Sequence, residues 1–296
     1  TARETNIGPV RALPRMLDAA AAFGGEAARE WLVAGNDDRY QGYDAQLATV
    51  QTALPLIPSA RYGPAWLQSM QTLLAPPPSG RDSAFEQVGL NSWLGGWLLL
   101  HHDTTLAPRP VDWVSAQEAA EPAFVQAPPQ LLGALAALSR QVEQGLRERE
   151  LLDAEAGQKL LQLERLYLAL QQVAEADRAG EPLDADSLLL LRQLAPRLEA
   201  LLAFAPSAEG VPLADVSLAR QVTLYTDPAS GTSMTAGLGP AWSLYAIVER
   251  DGSFWLAAGG IFATYELRQA PGEAETPDPQ AVETAPWLRA ILAPPP

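Results

Sequence analysis

The 296-residue chain contains no cysteine, only two histidines and 20 basic residues against 35 acidic ones. Without cysteine there is no thiol nucleophile, no disulfide framework and no Cys-based zinc or iron–sulfur site, and thiol redox chemistry is out. A chain of this length buries enough apolar surface to fold without such staples. The shortage of base gives a net charge of −15. Residues 1–100 hold seven Arg against nine acids, so the remaining thirteen bases and twenty-six acids fall in residues 101–296. Such a surface repels phosphate backbones and anionic lipid, which argues against nucleic-acid and membrane-surface binding. Long apolar runs are also missing. The best stretch, Trp93 to Leu100, is far shorter than the roughly 18 residues of a membrane span and ends in His101-His102-Asp103. The start, Thr1-Ala2-Arg3-Glu4-Thr5, has neither an initiator Met nor a signal-peptide pattern, so a mature or trimmed chain is expected.

What is present is mainly helical pattern. Met16 to Phe23 and Glu26 to Ala34 are Ala-rich helical stretches around Gly24-Gly25, and a third runs from Asp44, as its cap, to about Ala53. Pro64 opens a helix through Leu74 that Pro76-Pro77-Pro78 stops. Residues 84–106 form the most apolar candidate. Val88, Leu90, Trp93, Leu94, Trp97, Leu98, Leu99 and Leu100 lie around its whole circumference, a pattern that predicts burial on every side. Gly95-Gly96 in its middle implies a close neighbour or a bend.

After a proline-rich connector, a long helical hairpin is predicted over about 130–180, with Asp153 capping its second arm and Gly180-Glu181-Pro182 ending it. Asp184 to Leu202 is a further helix kinked or shortened by Pro196. Beyond Pro206 the texture becomes strand-like. Ser217 to Tyr225 alternates weakly, Asp227 to Gly231 is a turn, and Leu244 to Glu249, Asp251-Gly252 and Ser253 to Ala258 make the strongest hairpin signal, followed by a strand over Ile261 to Leu267. Gly237-Leu238-Gly239 and Gly259-Gly260 read as turns, since neither has the lysine or context of a phosphate loop. The expected architecture is α+β, mainly α with a small C-terminal antiparallel β unit: a helical array over 1–206 around one buried apolar helix, a β-hairpin or meander over 207–269 packed on it, and an extended tail over 270–296.

Several strings carry a resemblance. They are Phe23-Gly24-Gly25-Glu26-Ala27 leading to Tyr40-Gln41-Gly42-Tyr43-Asp44, Leu90-Asn91 through Trp97 to His102-Asp103-Thr104, Thr226-Asp227-Pro228, and Gly259-Gly260-Ile261-Phe262 with Tyr265-Glu266. In this order they resemble the domain of unknown function 3160 family, bacterial and archaeal envelope proteins without an assigned activity. The resemblance spans about residues 10 to 290 and matches the C-terminal portion of a typical member. It implies an extracytoplasmic location, in the cell envelope or secreted, and a partner in the form of a missing N-terminal half or a separate subunit. If such a half packs here, an apolar face near the central helix is expected. The family's central string usually reads Trp-x-Glu-Leu-Arg-His-Asp-Thr, followed by a string with lysine; here Leu99 and His101 replace the acid and the arginine, and Ala107-Pro108-Arg109 follows. Those departures weaken a catalytic reading.

His101, His102, Asp103 and Thr104 form the candidate polar cluster. Successive helical residues point about 100° apart, so a metal site at His102 and Asp103 needs ligands from elsewhere, and the favoured reading is hydrogen bonding within the architecture. Asn36-Asp37-Asp38 and Tyr225-Thr226-Asp227 lack the spaced acids of a calcium loop and read as capping turns. Trp93 and Trp97 are expected in the core, while Trp242 and Trp255 flank the hairpin as a possible binding surface. No cofactor is called for. The expectation is a non-catalytic extracytoplasmic interaction or structural domain; the alternative is a metal-assisted hydrolase completed near His102 and Asp103 by another segment or chain.

Overall fold

A computed structural model describes residues 13–58, 62–76, 83–103, 123–202, 221–250, 252–270, 285–289 and 291 of the chain. Their contacts divide the chain differently from its linear order. One unit comprises residues 1–107, 218–243 and 260–296; the other comprises 108–217 and 244–259. The β-hairpin is therefore shared, its base counted with the first unit and its tip with the second.

In the first unit, α1 (Met16–Ala22), α2 (Glu26–Ala34) and α4 (Tyr62–Met70) pack on α5 (Ser83–Asp103), and α3 (Tyr43–Ala53) packs on α1. Helix α5 touches α1, α2, α4, the 3₁₀ turn at Gln71–Leu74, strand β1 (Gln221–Thr226) and the C-terminal helix. Leu90, Trp93, Leu94 and Leu98 are fully enclosed, and from Gln87 to His101 no position is exposed. An apolar helix with hydrophobic residues all round needs neighbours all round, and the fold supplies them.

The close approach falls about two turns earlier than Gly95-Gly96 suggests. A methyl group on Gly89 would stand 2.3 Å from the Leu73 carbonyl oxygen, whereas at Gly96 it would meet the flexible end of Met70 and at Gly95 a Leu238 methyl at ordinary distance. Gly89 is thus the position where backbone packs on helix.

Strand β1 pairs antiparallel with β2 (Ser233–Arg250), Gln221 facing Gly237 and Thr226 facing Ser233, with an irregularity between Thr223 and Tyr225. Strand β3 (Ser253–Gln269) lies on β2's other side, giving the order β1-β2-β3. Both Gly-rich pieces expected as turns lie inside these strands. Gly239 sits where an added methyl would be 3.3 Å from the Ala263 side chain, so glycine there accommodates cross-strand crowding instead of reversing the chain. Consequently β2 is three times the length of the segment 244–249 that alternation picks out.

The proposed extended tail also needs correction. Residues 271–284 lie outside the described part, but Pro286–Arg289 forms a short helix, α10, whose Trp287 and Leu288 are fully buried against α5. A two-residue apolar anchor overrides the local proline-rich composition.

The second unit is built on α6 (Pro129–Glu148) and α7 (Ala154–Ala179), with α8 (Ala185–Arg192) and α9 (Leu194–Leu202). Asp153 caps α7 by accepting from the Ala156 amide at 2.8 Å, and Gly180 ends it in the left-handed conformation. The core joins Leu132, Leu166, Leu170, Val173, Leu190 and Leu191. The chain breaks between α8 and α9 at Gln193, placing Pro196 in α9's first turn, where its missing amide costs nothing. By contrast, Asp44 is a first-turn residue of α3 and the cap is Gly42, at positive φ.

Candidate functional site

The expected polar cluster starts at the C-terminal end of α5. His101 is half-buried, its ring 4.1 Å from that of Trp97, and its Nδ1 donates to the Trp97 carbonyl at 3.1 Å. That bond closes back onto its own helix, one turn earlier. The side chains of His102 and Asp103, and all of Thr104, lie outside the described residues. Among the described residues, no three acids or histidines gather as a metal-binding group.

A second polar assembly joins distant parts of the first unit around α5. Asn91, enclosed within the helix array, donates from Nδ2 to the Phe262 carbonyl at 2.6 Å. Its Oδ1 accepts from the Thr264 hydroxyl at 2.8 Å and from the Trp287 indole nitrogen at 3.3 Å. One amide therefore partners the Thr264 hydroxyl and the Trp287 indole, both on buried residues, and also bonds the β3 backbone at Phe262. The string Leu90-Asn91 and the string ending in Phe262 meet here.

A charged assembly sits at the start of α1. Arg15 holds Glu266 at 2.8 Å and also Asp37; Glu266 further accepts from the Met16 amide, and Asp18 accepts from the Arg15 amide at 2.8 Å and from the Tyr43 hydroxyl at 2.9 Å. Burial works to lower the Arg15 pKa, but the Glu266 and Asp37 carboxylates outweigh it and hold the guanidinium above its ordinary value. Nearby, Arg29 bonds Asp44 at 2.6 Å, approaches Asp38 at 3.6 Å and lies over the Tyr43 ring. Each cation meets two carboxylates. Asp37 and Asp38, read from sequence as turn caps, are ion-pair members instead. The missed signal is Glu266: nothing local in the sequence ties it to Arg15, 251 positions away. An open groove of about 300 Å³ adjoins Arg29 and Asp44, floored by Ala21, Gly24, Gly25 and Ala48.

The hairpin tip supplies the fourth feature. Arg250 donates to both carboxylate oxygens of Asp177, at 2.6 and 2.7 Å, and to the Ala123 carbonyl at 3.0 Å, with its guanidinium 4.1 Å from the Phe124 ring centre. Nη2 alone reaches both carboxylate oxygens while Nη1 takes the Ala123 carbonyl, and this charge-assisted contact fixes one face of the ribbon on α7. Leu244, Ala246, Val248 and Arg250 are accordingly half-buried, while Tyr245, Ile247 and Glu249, on the opposite face by the period of two, are exposed. On β3, Phe254 and Leu256 are exposed as well. Trp242 is 37 % and Trp255 42 % exposed. Elsewhere Val50, Leu56 and Ile57 are exposed at the end of α3, whereas along α5 Phe85 is the exposed large apolar residue among those described. Apolar exposure is thus concentrated on the hairpin more than on the central helix.

A family model described as "Protein of unknown function (DUF3160)" matches residues 1–273. No curated protein and no solved structure matches the chain.

Proposed function

The chain belongs to the family described as Protein of unknown function (DUF3160), and from that membership we propose that it is a non-catalytic interaction or structural domain, acting in the cell envelope or secreted, whose contact surface is the outward face of the hairpin tip. The observation that carries the reading is that face itself. Tyr245, Ile247, Phe254 and Leu256 stand together in solvent on a ribbon whose other face is clamped by Arg250. Contiguous exposed apolar patches of this kind mark binding surfaces in soluble proteins. The charged groups around α1 support the same reading: Arg15 and Arg29 each carry paired carboxylates, an arrangement that joins distant segments. Leu99 and His101, near the end of α5, stand where the resemblance leads one to expect an acid and an arginine.

Photo-crosslinking tests the contact surface. A photoreactive phenylalanine analogue at Ile247, in cells that produce the protein, should give discrete adducts, while the same analogue at exposed Leu151 between α6 and α7 should not. Equal patterns at the two positions, or none at either, would remove the hairpin from the argument. The non-catalytic part meets its own test in His102→Ala and Asp103→Ala: an activity of the native protein abolished in folded variants would overturn it. Fractionation of the source cell decides the location.

A further inference from the structure

We infer that the hairpin face pairs with the same face of a second copy of this chain, forming a two-fold dimer centred on Ile247 and Leu256. This rests on the reading of the tip as a contact surface and names its partner.

The exposed apolar area is enough for a small two-fold contact. Tyr245 is 63 %, Ile247 78 %, Phe254 73 % and Leu256 70 % exposed. Taking roughly 150–200 Å² for each such side chain when bare, the four offer about 400–550 Å² per copy. With these four side chains fully covered, two copies bury about 800–1,100 Å², around the threshold of about 1,000 Å² for a specific contact and in the range of weak, reversible ones.

The face is also complementary to itself. A closed two-fold contact uses the same patch twice, so residues equidistant from the axis must suit one another. With Ile247 on the axis and the ribbons antiparallel, Tyr245 of one copy lies over Glu249 of the other, because each is two residues from the centre, roughly 6–7 Å along the strand. A phenol hydroxyl then donates to a carboxylate, twice, at the rim of an apolar centre. Within the chain neither Tyr245 nor Glu249 has a side-chain partner among the described residues. The two Glu249 carboxylates sit at opposite ends, so the one charge of each face avoids its counterpart.

Electrostatics supplies a distinguishing signature. Each copy carries −15, so association works against long-range repulsion that salt screens. Dimerisation should strengthen as salt rises from about 20 mM to 500 mM, opposite to a contact held by ion pairs.

The test is sedimentation velocity of the full chain across a concentration series at both salts. Wild type should pass from monomer to dimer, and Ile247→Asp should weaken association at least about 100-fold with unchanged far-ultraviolet circular dichroism. Because the chain lacks cysteine, Ile247→Cys is the single thiol in its variant. A short bismaleimide should link two copies through it, and should fail with Leu151→Cys at equal concentration. Wild type that stays monomeric to several hundred micromolar at high salt, or equal linking at both thiols, overturns the dimer. If adducts at position 247 then contain a different protein, the contact-surface reading survives without the dimer. If vesicles of neutral lipid, and no protein, take up the chain through this face, the dimer falls as well.

Discussion

Replacing Asn91 by leucine should cost the first unit about 3–5 kcal/mol, a large part of the 5–15 kcal/mol by which domains are stable. The magnitude follows from what the amide leaves behind. Leucine nearly preserves the volume but strands the Phe262 carbonyl, the Thr264 hydroxyl and the Trp287 indole N–H, all previously bonded to Asn91. A buried polar group deprived of its partner costs about 1–3 kcal/mol. The Thr264 hydroxyl can rotate toward another acceptor, so two groups bear the main penalty. Urea unfolding followed by tryptophan fluorescence is suited to this, since Trp93 and Trp287 both lie in the affected core. With a slope near 3 kcal/mol per molar, the midpoint should fall by about 1–1.7 M. A second variant separates the hydrogen-bond account from simple repacking. Asn91→Leu combined with Thr264→Val removes a donor together with its acceptor, and should recover about 1 kcal/mol relative to the single change, because deleting both partners is cheaper than deleting one. Asn91→Asp supplies the pH control: enclosure pushes the new carboxyl above the ordinary carboxylate range, so its penalty is full at neutral pH and relieved as pH falls through the folded value. An Asn91→Leu protein within about 0.5 kcal/mol of wild type would refute the reasoning.

At Gly89, alanine should destabilise by about 2–3 kcal/mol, because the Leu73 carbonyl cannot move aside as a side chain can; at Gly96 it should cost about 1 kcal/mol or less, because the Met70 methyl swings away. Thermal melts of both variants check the order. Arg15→Met should lower stability by about 1–3 kcal/mol, discounted for its partial exposure, since Glu266 and Asp37 lose their cation; Arg15→Met with Glu266→Gln should recover part of it in the same urea assay. Asp227 accepts from Ser230 through its hydroxyl, then from the Ala229 amide, and is held below the ordinary carboxylate range. Its contribution to the turn before β2 is present above about pH 4 and lost as pH falls through the folded value, which amide shifts of residues 229 and 230 in an acid titration would report.

Sequence by itself determined what depends on neighbours a few residues away. Helices at Met16–Ala22 and Glu26–Ala34, the Asp153 cap and the Gly180 stop are all written within one turn of where they act. The all-round apolarity of α5 likewise required burial wherever the helix was placed. Tertiary structure decided what depends on partners far along the chain. The glycines at 237 and 239 read as turns until a facing strand is present to pair with them, and Trp287 reads as tail until α5 offers it an enclosed site. Arg15 and Glu266, or Asn91 and Thr264, are separated by most of the chain, so no local pattern could couple them. The physical reason is the reach of the forces: capping and periodicity act over a few ångströms along the backbone, whereas enclosure and ion pairing act over the same few ångströms in space, which only the folded chain defines.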